Sequence, residues 1–237
     1  MRLSVIVPAW NEAGGIHHSL APLQPWRGRG HEVIVVDGGS DDDTVHLATP
    51  LADRVIRAPR GRANQQNAGA AVAKGEGLVF LHADTRLPGE ADALIQRALA
   101  THHWGRFDVR IAGRHPGLPL VAALMNRRSR LSGIATGDQA IFVRREAFEA
   151  VGGFPAQPLM EDIELSRRLK RLGRPACLRP PVTTSGRRWD EHGFWRTVWL
   201  MWHLRLAYFF GADPADLARA YYGFSPPKKT GQNTGFE

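Results

Sequence analysis

The sequence of 237 residues contains a single cysteine, Cys177, so no disulfide can form within the chain. The lack of cysteine pairs excludes a zinc site built on paired thiolates and points to a reducing compartment. Two common nucleotide-binding motifs are also missing: no Gly-x-Gly-x-x-Gly follows the first apolar run, and no Walker A loop occurs. These absences argue against a dinucleotide-binding enzyme, a P-loop enzyme and a disulfide-rich secreted domain.

Long uncharged apolar runs are missing as well. The longest apolar stretch, residues 194–210, is interrupted by Arg196, His203 and Arg205. A membrane-spanning helix needs about 18 apolar residues with few or no charges. We therefore expect no transmembrane helix and a cytoplasmic protein.

Positive charge is in excess: the formal net charge at pH 7 is +8, and the isoelectric point is about 10.5. Such a balance favours an anionic partner, which includes nucleic acid, phospholipid headgroups and phosphorylated small molecules. No nucleic-acid recognition motif is present, so we do not expect nucleic acid to be that partner. A chain with 43% hydrophobic residues is typical of a globular protein.

The first half alternates short apolar runs with helix-like stretches. The predicted strands are residues 3–7, 32–36, 54–58 and 78–81, and the predicted helices are 12–20, 44–48 and 63–74. Alternation of this kind predicts an α/β fold with a mainly parallel central sheet flanked by helices. The runs are apolar throughout, as in strands covered on both faces.

The second half is less regular. We predict helices over residues 91–100, 145–151 and 161–172, and strands over 104–111 and 140–144. Two C-terminal amphipathic helices follow, over 194–210 and 213–222, and a polar tail begins at Ser225. The predicted organisation is a main domain over 1–190, a helical appendage over 191–224 and a disordered tail over 225–237.

Polar side chains follow three of the predicted strands. Asn11 and Glu12 follow the first, Asp37 follows the second, and His82 and Asp84 follow the fourth. Ligands of open α/β sheets bind outside the carboxyl ends of the strands, so we expect these residues to form a site. Asp84 is suited to bind Mg²⁺ or Mn²⁺ beside phosphates, or else forms an Asx turn. His82 is either a second metal ligand or a structural histidine.

Three further polar segments have two interpretations each. Glu161 and Asp162 open a helix, where the helix dipole favours acids, but a carboxylate facing a pocket there would serve as a general base. Residues 137–139 form either a turn or an acceptor contact. Arg187 and Arg188, in a predicted loop, either face solvent or clamp a diphosphate.

The aromatic helix over 194–210 also has more than one interpretation. Its three tryptophans beside arginines suit a membrane interface, which would make the protein peripheral to the inner face of the membrane. Buried helices are equally apolar all round, so a core helix or a homodimer contact fits the same residues.

Five segments occur in an order and spacing that resemble a known family. They are residues 4–12 (SVIVPAWNE), 35–44 (VVDGGSDDDT), 67–70 (NAGA), 80–84 (FLHAD) and 160–162 (MED). Over about residues 1–190 the sequence resembles inverting glycosyltransferases of family 2, which have the GT-A fold. Residues 60–69, 82–85, 137–140 and 187–189 are most similar to a stand-alone bacterial subgroup, labelled radical-SAM- or selenodomain-associated, or arsenosugar-biosynthesis, glycosyltransferases.

The resemblance implies a role for each matched residue. It implies a nucleotide-diphospho-sugar donor, a UDP-sugar first of all, with Mg²⁺ or Mn²⁺, an aspartate base and an unidentified acceptor. The metal would lie on Asp84, with His82 as a further ligand, and the base would be Asp162. The implied donor-site residues are Pro8, Asn11, Glu12, Asp37, Arg62, Asp84 and Arg188. The implied residues of the acceptor side or pocket are Asp138, Gln139, Glu161 and Trp189.

Three positions depart from the family pattern. Gly38 stands where many relatives have an aspartate that reads uracil, and His82 stands where the metal motif has its first aspartate. The glutamine that precedes Arg188 and Trp189 in processive members is missing. Two alternatives stay open: a nucleotidyltransferase-like protein, which usually has a basic glycine-rich loop that residues 10–15 do not provide, and a non-catalytic sugar-nucleotide-binding protein.

Overall fold

The computed structural model describes residues 1–223, so the predicted disordered tail from Ser225 lies outside the described residues. The strands of this part of the chain form one sheet. They are β1 (Leu3–Ala9), β2 (Glu32–Asp37), β3 (Arg54–Arg57), β4 (Gly77–Phe80), β5 (Thr85–Arg86), β6 (Trp104–Ala112), β7 (Phe142–Arg144) and β8 (Ala176–Ser185).

The strand order is β3-β2-β1-β4-β7-β6-β8-β5. The first four strands are parallel to one another, and β6 and β8 are also parallel. Strand β7 runs antiparallel to both β4 and β6, and β5 runs antiparallel to β8. The predicted α/β fold with a mainly parallel sheet is confirmed, and its second half is mixed.

Helices cover both faces of the sheet. They are α1 (Ile16–Leu20), α2 (Gln24–Gly28), α3 (Thr44–Ala48), α4 (Arg62–Val72), α5 (Ala91–Leu99), α6 (Leu118–Ser132), α7 (Arg145–Ala150), α8 (Glu161–Leu169), α9 (Arg187–His192), α10 (Phe194–Phe209) and α11 (Pro214–Gly223).

Successive residues of the central strands belong to different cores. Val5 and Val7 of β1 lie in one buried cluster, while Ile6, between them, lies in a second cluster with Ala70 of α4 and Leu165 of α8. Side chains alternate between the faces of a strand, and here both faces are covered by helices. This arrangement explains why the strands are apolar throughout rather than alternating.

The two longest elements that were not predicted from the sequence are β8 and α6. Strand β8 contains Pro180 and Pro181, which favour a loop in a sequence reading. The two prolines fall at a register shift in the β6–β8 pairing, where Phe107 pairs with Leu178 and the next residue of β6 pairs with Pro181. An irregularity of this kind tolerates proline because ladder hydrogen bonds are already interrupted there.

Helix α6 was missed because its apolar residues are not confined to the face that Leu118 and Ala122 bury in the main core. Leu120, Leu124 and Leu131 are exposed, and Pro119 occupies the first turn, where proline is tolerated. The prediction of a loop over Arg187 and Arg188 is wrong, because both residues lie in α9. Helix α9 begins directly after β8, a strand that was itself not predicted from the sequence.

The two C-terminal helices build a small core of their own. Leu200 and Leu204 of α10 pack with Leu217 of α11 and with Leu159 from the segment before α8. The start of α10 also packs on the main body, where the Phe194 ring stacks on His115 with centroids 3.9 Å apart. The division of the chain at residue 190 stays a prediction. No helix within residues 1–223 has the length and apolarity that crossing a bilayer requires.

The contact of α4 with the sheet depends on Gly69. A Cβ atom at this position would lie 2.4 Å from Ile6 Cγ2 and 3.0 Å from Val36 Cγ2. We expect Gly69→Ala to lower the free energy of unfolding by about 1–3 kcal/mol, because the extra methyl group overpacks the core. Gly28→Ala is the matched control, since nothing lies within 4 Å of its Cβ position. Urea unfolding of both variants checks this, and equal stability of the two would contradict it.

Candidate functional site

The loops after β1 and β2 are joined by the Asn11 side chain and backbone. The Asn11 N–H donates to Ser40 Oγ at 2.9 Å, and Asn11 Oδ1 accepts the Asp41 N–H at 2.9 Å. Asn11 has a left-handed backbone with a φ of 52°. Asn11 therefore has a structural role in shaping this edge of the sheet.

The Asp37 carboxylate is fully buried at the end of β2. Its oxygens accept the Gly39 and Ser40 N–H groups at 3.0 and 3.1 Å and the Ser40 hydroxyl at 2.6 Å. These bonds fix the loop that follows β2, and a contact between Asp37 and a nucleotide stays a prediction.

Gln65 was not predicted from the sequence, although its side chain bridges the ends of β1 and β2. Its buried Nε2 donates to the carbonyl oxygens of Ala9 at 2.9 Å and Val36 at 2.8 Å. A Cβ atom at Gly38 would lie 3.1 Å from the same nitrogen. Gln65 thus occupies space that a side chain at position 38 would need.

The rim of these loops is positively charged and aromatic. The Arg60 guanidinium lies over the Trp10 ring, 3.4 Å from its centroid, and Arg187 Nη2 lies 3.5 Å from Glu12 Oε1. Half-buried Pro8 lies beside them on β1. Glu12 is therefore near the start of α9, which connects the β1 loop to the other half of the site.

Glu161 and Asp162 form an acidic pair in the first turn of α8. Glu161 is buried, and Met160 before it has a left-handed backbone with a φ of 63°. Asp162 Oδ2 accepts the Gly137 N–H at 2.8 Å, and Asp162 Oδ1 accepts the Ile163 N–H at 2.7 Å. The two bonds fix the carboxylate in one orientation while each oxygen keeps a lone pair for another group.

The segment before β7 brings Asp138 and His82 to the same place. His82 Nδ1 lies 3.4 Å from Asp138 Oδ1. A Cβ atom at Gly137 would lie 2.3 Å from His82 Nε2, so only glycine fits between His82 and the acidic pair. Because β7 is antiparallel to β4, the residues before β7 meet those that follow β4.

Three arginines surround these acids. The Arg188 guanidinium lies 4.1 Å from the centroid of the Tyr221 ring of α11. Arg188 Nη1 and two nitrogens of Arg128, Nε and Nη2, are buried without a hydrogen-bond partner among residues 1–223. Arg62, at the start of α4, interacts electrostatically with Glu161 and Asp138. Buried guanidinium groups with free N–H donors suit an anionic ligand.

The acids and arginines shift one another's protonation. Burial and the neighbouring Asp162 raise the pKa of Glu161 to about 7, against the charge of Arg62. Burial also raises the pKa of Asp162, against its two backbone hydrogen bonds. Burial alone would raise the pKa of Asp138, but the His82 hydrogen bond and the charges of His82, Arg62 and Arg188 hold it below its usual value.

Arg128 was missed together with its helix α6. Burial lowers the pKa of Arg128, and the charge of the Asp162 carboxylate opposes this effect, so the two groups lie within electrostatic range of each other. The sequence of α6 contains Arg127, Arg128 and Arg130, and nothing in this pattern indicates that one of the three points inward. Only the tertiary packing of α6 identifies Arg128.

Backbone strain is concentrated at the site. Among residues 1–223, the non-glycine residues with positive φ are Asn11, Ala140 and Met160. Asn11 follows β1, Ala140 follows the turn that carries Asp138, and Met160 precedes the acidic pair. Such conformations cost about 1–3 kcal/mol each and persist where the surrounding structure enforces them, most often at functional sites.

Asp84 fits a divalent cation that is shared with a ligand. Its side chain is exposed after β4, with Oδ1 accepting from the Thr85 hydroxyl at 3.3 Å. No group of three or more histidine, cysteine, aspartate or glutamate side chains within residues 1–223 is placed to hold a metal. Mg²⁺ and Mn²⁺ are commonly held by one or two carboxylates with phosphates and water, so a single carboxylate suffices beside a diphosphate. A role of His82 as a second ligand stays a prediction.

The remaining predicted residues are more deeply integrated in the fold. Gln139 is fully buried, with Nε2 3.4 Å from the Phe107 carbonyl oxygen, and Trp189 packs against the main core and Phe194. The structure therefore brings together Arg62, His82, Asp138, Glu161, Asp162 and Arg188. A separate depression of about 730 Å³ near Met1 and His31 lies at the amino end of β1, opposite to the edge where such sheets bind ligands.

Comparison with known proteins identifies the family of this arrangement. Residues 4–151 match the profile of the family described as Glycosyl transferase family 2. A relative from Trichormus variabilis, described as a beta-monoglucosyldiacylglycerol synthase, is 25% identical over 224 residues, covering 81% of this chain and 48% of the relative. The chain thus spans about half the length of the curated relatives it matches.

Solved structures are similar over most of the chain. A mannosyltransferase from Pyrobaculum calidifontis, in complex with GDP-Man and Mn²⁺, is 25% identical, with a TM-score of 0.65, over 94% of this chain and 69% of that one. Glucosyl-3-phosphoglycerate synthase from Mycobacterium tuberculosis, in complex with Mn²⁺ and UDP, is 22% identical with a TM-score of 0.61, over 80% and 74% of the chains. The expected GT-A type of α/β fold is confirmed, whereas the narrower bacterial subgroup stays a prediction.

The raised pKa of Glu161 predicts a pH-dependent stability. The folded chain binds the Glu161 proton more tightly than the unfolded chain, so the free energy of unfolding falls as the pH rises from about 4.5 to about 7. In Glu161→Gln this fall should shrink by an amount on the order of 2 kcal/mol. Urea unfolding across this pH range measures it, and identical pH profiles for variant and wild type would contradict it.

Proposed function

Because the chain belongs to glycosyl transferase family 2, we propose that it transfers a sugar from a nucleotide-diphospho-sugar to an acceptor hydroxyl and inverts the anomeric centre. The observation that carries the proposal is the acidic pair Glu161 and Asp162, held among Arg62, Arg128 and Arg188 at the carboxyl edge of the sheet. A carboxylate base next to free guanidinium groups is the combination that this reaction needs.

Asp162 is the proposed general base. The acceptor oxygen attacks the anomeric carbon, the bond from that carbon to the diphosphate oxygen breaks, and Asp162 takes the hydroxyl proton. Burial raises the pKa of Asp162 towards the working pH, which strengthens it as a base. The Gly137 and Ile163 N–H groups hold it in position for the attack.

Arg188 and Arg128 are proposed to stabilise the negative charge of the substrates. The leaving nucleoside diphosphate gains charge as the bond breaks, and the donors that face it contribute most when water is excluded. Arg188 Nη1 and Arg128 Nε and Nη2 are the buried N–H donors that remain unpaired in the described part of the site. Arg62, held between Glu161 and Asp138, adds positive charge to the same region.

Asp84 is proposed to hold Mg²⁺ or Mn²⁺ against the donor diphosphate. When bound, the ion would act as a Lewis acid that neutralises charge on the phosphate oxygens. Two observations support this proposal: the exposed carboxylate of Asp84 after β4, and the Mn²⁺ in complexes of similar solved structures.

The loops after β1 and β2 are proposed to bind the nucleoside, with Pro8, Asn11 and Glu12 lining the base and ribose. The similar solved structures hold UDP in one case and GDP-Man in another, so both bases are candidates. Gln65 fills the space beside Gly38. We infer that this chain reads the base without the side chain that many relatives carry at position 38.

Metal-dependent nucleotide binding tests the donor site. We expect UDP or GDP to bind in Mn²⁺ or Mg²⁺ at least tenfold more tightly than in EDTA, and Asp84→Asn to remove this difference. Glu90→Gln, an exposed acid in the same segment, is the matched control and keeps it. Titration calorimetry with each nucleoside diphosphate measures the affinities; a metal effect that survives Asp84→Asn would contradict the metal role of Asp84.

Asp162→Asn tests the base. Release of nucleoside diphosphate from the sugar nucleotide, with water as acceptor, should fall by about 10²–10⁴-fold, the usual contribution of a general base. Donor affinity should stay within about threefold, because the amide keeps the shape of the carboxylate. Glu164→Gln is the control, two residues along α8, where Glu164 pairs with Arg168 at 3.2 Å. Unchanged turnover in Asp162→Asn would show that another group takes the proton.

A further inference from the structure

One face of α10 consists of large apolar side chains that contact solvent. Trp195, Trp199 and Trp202 are between 72 and 76% exposed. Leu206 and Phe209 continue the same row and are 60 and 72% exposed. At 3.6 residues per turn, these five positions form one stripe along the helix; we call this stripe the outer face of α10.

The fold does not account for the outer face. The opposite side of α10 already provides the contacts that hold the helix, because Leu200 and Leu204 pack on Leu217 of α11 and on Leu159. The three tryptophans are therefore exposed to solvent, and the packing of α10 on the rest of the chain does not need them. A contiguous exposed patch of large apolar residues marks an interaction site.

The charges around the outer face indicate the kind of partner. Residues 194–209 contain no aspartate or glutamate. By helical position, Arg196 and His203 lie along one edge of the outer face and Arg205 lies along the other. A second α10 packed on the first would bring the same cations and no acid from residues 194–209, whereas anionic lipid headgroups would supply negative charge to both edges.

We propose that the outer face of α10 docks on the surface of an anionic lipid bilayer. Helix α10 would lie flat, with its tryptophans at the level of the headgroups, where amphipathic aromatic rings are favoured, and its arginines on phosphates. The proposal concerns binding alone and does not depend on the proposed sugar transfer.

Docking would place the candidate site next to the bilayer. Helices α10 and α11 share one small core, and Tyr221 of α11 lies against Arg188 in the site. An acceptor hydroxyl at the membrane surface would then approach Asp162 from the side of α11. This placement rests on the proposed function, whereas vesicle binding is measured without a donor or an acceptor.

Co-sedimentation with two kinds of vesicle tests the docking at roughly physiological salt. One kind is pure phosphatidylcholine, and the other is phosphatidylcholine with about 30% phosphatidylglycerol, which is anionic. We expect at least tenfold tighter binding to the anionic vesicles. The triple variant Trp195→Ser, Trp199→Ser, Trp202→Ser should lose at least tenfold in affinity. Leu131→Ser, which changes a residue of α6 that is 74% exposed, is the matched control and should bind like wild type.

Two further measurements keep the test decisive. The double variant Arg196→Glu, Arg205→Glu should lose the preference for anionic vesicles. Brominated phosphatidylcholine in anionic vesicles should quench the tryptophan emission of the wild-type chain, which needs no variant to fold.

Three outcomes would overturn the proposal. The first is a wild-type chain that binds neither kind of vesicle. The second is a folded triple variant that binds as wild type does, or a Leu131→Ser control that loses as much as the triple variant. The third is a wild-type dimer, seen by light scattering, that the triple variant abolishes while vesicles stay unbound, since a second copy would then be the occupant.

Discussion

Two adjacent carboxylates, the buried Glu161 and the half-buried Asp162, are the constraint around which the rest of the site is organised. Burying one unpaired charge costs several kcal/mol, and Glu161 and Asp162 also repel each other. Part of this cost is offset by the N–H groups of Gly137 and Ile163 and by the nearby guanidinium of Arg62. The remainder appears as a raised pKa of both acids, which is the property a base near neutral pH requires. The energetic cost of burying the acidic pair thus gives the two acids the raised pKa that the proposed base needs.

The topology of the sheet explains why these groups meet. The first four strands are parallel and present their loops at one edge. Strand β7 reverses direction next to β4, so that the turn before β7, with Gly137 and Asp138, contacts His82 after β4. A parallel β7 would have placed that turn at the opposite edge. The antiparallel insertion, which interrupts an otherwise regular α/β pattern, is thus what joins the loops of the two halves.

The sequence predicted the first half of the fold better than the second, for physical reasons. Strands buried on both faces produce apolar runs that are visible locally, and polar residues at their ends, such as Asn11 and Asp84, follow from chain order. Asp162 was predicted as the base through the family resemblance rather than from spacing, since helix dipoles alone favour acids there. Strand β8, Arg128 and Gln65 could not be predicted, because their positions depend on tertiary contacts. These are a register shift that accepts prolines, a helix whose apolar residues are not confined to its buried face, and an amide that bridges two strand ends.

The C-terminal helices have a sequence that satisfies two environments at once. Helix α10 is apolar on its packed side, through Leu200 and Leu204, and equally apolar on its outer face. A helix with a purely structural role would need only the apolar packed side. Polar residues on its outer face would make it more soluble. Since α11 carries Tyr221 against Arg188, a partner that binds the outer face would act on a unit that already touches the site. The proposed docking face and the candidate site are therefore linked through the small core that α10 shares with α11.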